Sequence, residues 1–90
     1  MAKTQQVNFG NDVALPTAAN ALFPAREYGR RGFWVKNQGA NVMNITYPSG
    51  AIYKLDAGAT LMLQDAGMIE DGAYTITGTA ADTFSFWEAY

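Results

Sequence analysis

From Arg31 onward the chain alternates apolar and polar positions in short runs: RGFWVKN (31–37), VMNITY (42–47), AIYKL (51–55), TLMLQ (60–64), AYTIT (73–77) and TFSFWEAY (83–90). Turn chemistry closes each run, at Asn37 to Asn41, Pro48-Ser49-Gly50, Asp56-Ala57-Gly58, Asp65 to Gly72 and Gly78 to Asp82. A period of two over β-branched and aromatic residues predicts half-buried strands, and their close spacing predicts an antiparallel sandwich or small barrel. The alternation places Phe33 and Val35, Met43, Ile45 and Tyr47, Ala51, Tyr53 and Leu55, Leu61 and Leu63, Tyr74 and Ile76, and Phe84 and Phe86 on core faces. Gly-Ala pairs recur at the turns (Gly39-Ala40, Gly50-Ala51, Gly58-Ala59, Gly72-Ala73), where glycine is expected to supply positive φ.

The first third has no clear period. Val7-Asn8-Phe9 can form a short edge strand closed by Gly10-Asn11-Asp12. Val13 to Pro16 reads as extended, and Thr17 to Phe23 as one or two helical turns capped by Thr17 and ended by Pro24. The expectation is an extended N-terminal arm, residues 1–27, attached to a β-sandwich or barrel of about six to eight strands, residues 28–90.

The opposite faces of the runs are not cleanly polar. Trp34, Ile52, Met62 and Trp87 fall on the side that faces water, and two tryptophans there are large enough to anchor an interface. Either the chain's own arm or a neighbouring chain must cover them. The last residues stay aromatic up to Tyr90, which predicts a docked C-terminus. That end is either the closing strand or an addition to a neighbour's sheet edge.

Composition narrows the function. Ninety residues form one domain with a small core, and domains of this size commonly add disulfides, metals or oligomerisation. Cysteine and histidine are both absent, which removes disulfides, thiolate and imidazole metal sites, and Ser-His-Asp or Cys-His catalysis. Oligomerisation is the device left. No apolar run reaches the length of a membrane span, and the N-terminus lacks the apolar core of a signal peptide, so cytoplasmic synthesis is expected and no membrane partner.

All six basic residues lie before residue 55 and six of the eight acids after it. Opposite signs in the two halves can pair within the fold or between copies. Arg26, Arg30 and Arg31 cluster beside Tyr28 and can meet a phosphate or an acidic protein surface. They are too few, in an acidic chain, for a nucleic-acid footprint. The carboxylates of Asp65 to Gly72 do not follow calcium-loop spacing and read as a solvated loop. No cofactor and no enzymatic activity are expected.

The stretch Gly32-Phe33-Trp34-Val35-Lys36-Asn37-Gln38-Gly39, followed by Asn44-Ile45-Thr46-Tyr47, Leu55-Asp56-Ala57-Gly58-Ala59 and Tyr74 to Thr79, resembles small structural proteins of tailed bacteriophages, the head decoration (cement) proteins and accessory virion proteins. The resemblance implies a compact β-sandwich or barrel, commonly trimeric, seated on the capsid lattice. The function it implies is stabilisation of the assembled head as a homotrimer bound to the major capsid protein, located in the virion. The contact residues would be Trp34, Trp87, Ile52, Met62, Arg26, Arg30, Arg31 and Tyr90, with the arginines meeting acidic capsid patches. A tail- or fibre-associated module is the alternative within that class. A carbohydrate-binding sandwich that stacks sugars on Trp34, Trp87 and Tyr53 is the alternative outside it.

Overall fold

The computed structural model describes residues 6–26, 30–64 and 69–90. The order of elements is β1 (Val7–Ala14), β2 (Ala19–Phe23), β3 (Gly32–Asn37), β4 (Met43–Thr46), β5 (Ile52–Leu55), β6 (Thr60–Gln64), β7 (Tyr74–Thr77) and β8 (Thr83–Ala89). They form two four-stranded antiparallel sheets of order β1-β8-β3-β6 and β2-β7-β4-β5. The all-β sandwich expected from the alternation is present, and its strand order is that of a jelly roll.

The alternation names the core. Phe33, Val35, Leu61 and Phe84 point inward from the first sheet, and Met43, Ile45, Leu55, Tyr74 and Ile76 from the second. Rings interlock between the layers: Phe33 lies 5.1 Å from Tyr74 and 5.2 Å from Phe23, and Phe23 meets Phe86 at 5.9 Å. Tilted and edge-on contacts at this spacing suit the ring quadrupoles. Burial pushes the Tyr47 and Tyr74 hydroxyls above their ordinary range. Asn37, fully buried, ties three turns together. Its amide donates to the Asn41 and Leu55 carbonyls at 2.8 and 3.0 Å, and its side-chain oxygen accepts from the Gly39 N–H at 2.9 Å.

The N-terminal third departs from the sequence reading. Residues 19–23 are strand, not helix: Ala19 pairs with Thr77, Asn20 with Ile76 and Phe23 with Tyr74. Thr17 and Asn20 bond each other in the turn before it, rather than capping a helix. A register shift between Ala21 and Phe23 lets the consecutive Leu22 and Phe23 both be buried, which breaks the two-residue period and hides the strand. Residues 7–14 pair along β8, again with a shift between Gly10 and Val13. A Cβ on Gly10 would sit 2.6 Å from the Phe86 ring, so glycine is what lets β1 lie against that ring. The expected arm therefore supplies one strand to each sheet, and the boundary expected after residue 27 falls inside one folded unit.

The turns divide into two kinds. Gly50 and Gly58 take the positive φ expected of them, 97° and 80°. Gly39 and Gly72 instead allow close approach, each leaving a would-be Cβ 2.7 Å from the side chain of Asp82 and Pro48 respectively.

Candidate functional site

Pairing register assembles a row of large apolar side chains across the β1-β8-β3-β6 sheet. Phe9 is opposite Trp87, Trp87 opposite Trp34, and Trp34 opposite Met62. All four alternate with core residues, so the row runs edge to edge on the outer face, over about 15 Å at the usual strand spacing. Its ends are the most open: Phe9 is 65% exposed and Met62 55%, while Trp34 and Trp87 between them are half-buried. Val7, on the same face of β1, adds a further exposed apolar group. Lys36 and Asp12 lie beyond the row, toward the other end of the sheet.

Behind this face the charged residues close one end of the sandwich. Glu88 alternates inward with Phe84 and Phe86 and is fully buried. Its carboxylate accepts from Arg30 Nε at 2.7 Å, from both the Nε and Nη2 of Arg26, and from Asn8 Nδ2 at 3.0 Å. Arg30 completes its own hydrogen bonding with the carbonyls of Pro24, Glu70 and Gly72, and its guanidinium lies 4.8 Å over the Tyr74 ring. Arg26 lies 3.4 Å over the ring of Tyr90. Burial alone would raise the Glu88 carboxyl; the hydrogen bonds from Arg26, Arg30 and Asn8 outweigh it and hold the group below the ordinary carboxylate range. The same bond raises Arg26.

These contacts redistribute the expected site residues. Trp34, Trp87 and Met62 come together in the row. Ile52, although 68% exposed, lies on β5 in the other sheet and does not join them. Arg26 and Arg30 are turned toward Glu88, which corrects the expectation that they face an acidic partner: the Arg30 side chain is fully buried, and Arg26, though partly exposed, has its guanidinium engaged by the Glu88 carboxylate. Arg31 alone of the three is exposed. Tyr90 is docked, as expected of an aromatic C-terminus: its backbone pairs with that of Gln6 in both directions, beside β1 of its own chain. Tyr28 and residues 65–68 lie outside the described residues. Of the acidic loop that remains, Glu70 accepts from Ser49 and Asp71 from the Arg30 N–H.

Residues 7–23 do not cover the tryptophans. β1 lies beside them in the same sheet, and β2 belongs to the opposite layer. The three-ring sugar platform is not formed either, because Tyr53 is on β5 in the second sheet.

Two residues of the site escaped the sequence reading. Phe9 sits in a strand whose period is cut short by the bulge. Glu88 was legible: the alternation that sends Phe84 and Phe86 inward sends Glu88 with them, and a carboxylate on a core face requires a cationic partner. No protein-family model, no curated protein and no solved structure matches this chain.

Proposed function

We propose that this chain is a virion structural protein of a tailed bacteriophage, a decoration or cement protein that binds the assembled head as a homo-oligomer, with the trimer as the expected state and the major capsid protein as its partner. The observation that carries the reading is the uncharged apolar row Phe9–Trp87–Trp34–Met62, displayed on a rigid sheet by a chain without cysteine or histidine. The jelly-roll order is also used by viral capsid domains, though fold alone does not assign function.

Size supports an oligomer. Four strands of five to eight residues present a face of roughly 20 by 21 Å in plan. That is well below the ~800 Å² per partner of a standard stable interface. One copy would hold weakly, whereas several linked copies gain from effective concentration. Because such a ligand binds the assembled shell and not its separated subunits, it stabilises the shell by mass action.

The test is co-sedimentation of the purified protein with assembled heads that lack it. Saturable binding, weakened at least tenfold by Trp34→Ala or Trp87→Ala in protein of unchanged circular dichroism, is the expected result. Protein that stays in the supernatant at all concentrations refutes the proposal.

A further inference from the structure

The two ends of the apolar row coincide with the two edges of the sheet, and the backbone there is arranged to pair. Gln6 and Tyr90 exchange both N–H···O bonds. In an antiparallel pair such residues alternate with ones whose N–H and C=O turn away from the partner strand. Val7 and Phe9 therefore present their backbone groups outward at the β1 edge. On the other side, the Asn37 N–H bonds to the Ala59 carbonyl. The same alternation turns the backbone groups of Thr60, Met62 and Gln64 outward at the β6 edge. Phe9 and Met62 thus share three properties: each ends the row, each exposes its side chain on the same face, and each offers at its edge a backbone donor and acceptor with no partner among the described residues.

Direction matches as well. With four strands alternating in sense, β1 and β6 run oppositely. A copy rotated about an axis along the strands brings its β6 beside β1 in the antiparallel sense that the sheet already has. Phe9 would then form a hydrogen-bonded pair with Met62 of the next copy, and Val7 with Gln64, which extends the row without a break. A methionine sulfur beside an aromatic ring is a favourable contact. The bulge between Gly10 and Val13 ends the regular edge just past this point.

We propose that this chain assembles head to tail, the β1 edge of one copy pairing with the β6 edge of the next, Phe9 opposite Met62, to form a closed ring with a continuous apolar belt. A contact of this kind is heterologous: it gives a ring where its rotation closes and an open filament where it does not, and the ring is the form we assign. A β1-to-β1 dimer would also be antiparallel, but it leaves Met62 and the β6 edge open. The inference rests on the virion reading for its purpose alone: the ring joins copies through the ends of the row and leaves Trp34 and Trp87 to face the shell.

The native chain has no cysteine, so single cysteines report cleanly. Hydrogen-bonded antiparallel partners lie about 5.5 Å apart at Cα. That is within the range a disulfide spans. Chains carrying Phe9→Cys and chains carrying Met62→Cys are oxidised separately and as an equal mixture, alongside light scattering of the unsubstituted protein. The expected result is a mass of three or more chains and a covalent dimer in the mixture alone. A monomer at every concentration, a cross-link in either variant by itself, or an oligomer whose mixture stays uncross-linked would overturn the proposal. Failure here and failure of the virion reading are separable. A monomer that still sediments with heads removes the ring and keeps the function; a ring that ignores heads does the reverse.

Discussion

Replacing Glu88 by glutamine tests the account of the closed end of the sandwich. The substitution keeps size and one acceptor oxygen but removes the charge that Arg30, with no exposed side-chain surface, has as its ionic partner. Breaking a buried pair by removing one member costs about 3–5 kcal/mol, because the remaining charge stays desolvated. Arg30 keeps its carbonyl partners at Pro24, Glu70 and Gly72, so the lower end applies, about 3 kcal/mol. A domain of this size has about 5–13 kcal/mol in total. The variant should therefore lose about a quarter to three fifths of its stability, and its melting temperature should fall by roughly 12–24 °C. Urea unfolding followed by circular dichroism gives the number directly. The double variant Arg30→Met/Glu88→Leu, which removes both charges, should recover much of the loss. A single variant that loses less than about 1 kcal/mol would show that Glu88 is solvated in solution and would refute the buried-network account.

Two further outcomes follow from the same structure. Glu88 titrates below its unfolded value, so its contribution is fully present above the ordinary carboxylate range and disappears as pH falls through the folded value. With no histidine in the chain, stability should stay level from pH 8 to 5 and drop in acid; urea midpoints across this range should show that shape, and an equally steep acid limb in Glu88→Gln would assign the drop to other carboxylates. Deleting residues 1–23 should abolish the β signature in circular dichroism, since it removes a strand from each sheet and the buried Leu15, Leu22 and Phe23; a truncated chain that stays folded would return these residues to the status of an arm.

Legibility in the sequence tracked regularity. Strands β3, β4 and β7 keep the two-residue period, and their core faces could be read off Phe33, Val35, Met43, Ile45, Tyr74 and Ile76; in β5 only Leu55 is buried, and Tyr53, expected on the same face, is exposed. β1 and β2 each carry a shift in register; β1 was legible only as the short strand Val7 to Phe9, and β2, with Leu22 and Phe23 both buried, read as helix. Trp34, Met62 and Trp87 stood out as apolar residues on wet faces, but nothing local says that three separate strands align them, since register is fixed by distant partners. The arginines misled for a related reason. Three cations near one another suggest an external anion until the inward-facing carboxylate at position 88, some sixty residues away, is placed beside Arg26 and Arg30.

The pairing of β1 with β8 joins Val7 to Ala89. The first strand of the chain thus has no permanent neighbour until the last has been made. At about 5–20 residues per second, a ribosome takes several seconds to produce the intervening chain. Throughout that time Val7 and Phe9 are displayed on an unpaired strand. Folding in which the decisive contacts span the whole sequence is slow, on the millisecond-to-second scale. Closure of the first sheet therefore waits for β8, and a nascent chain cut short before β8 keeps the apolar strand β1 open to the wrong partner. The bulge at Gly10 to Val13, by bending β1 early, shortens the stretch that such a partner could capture.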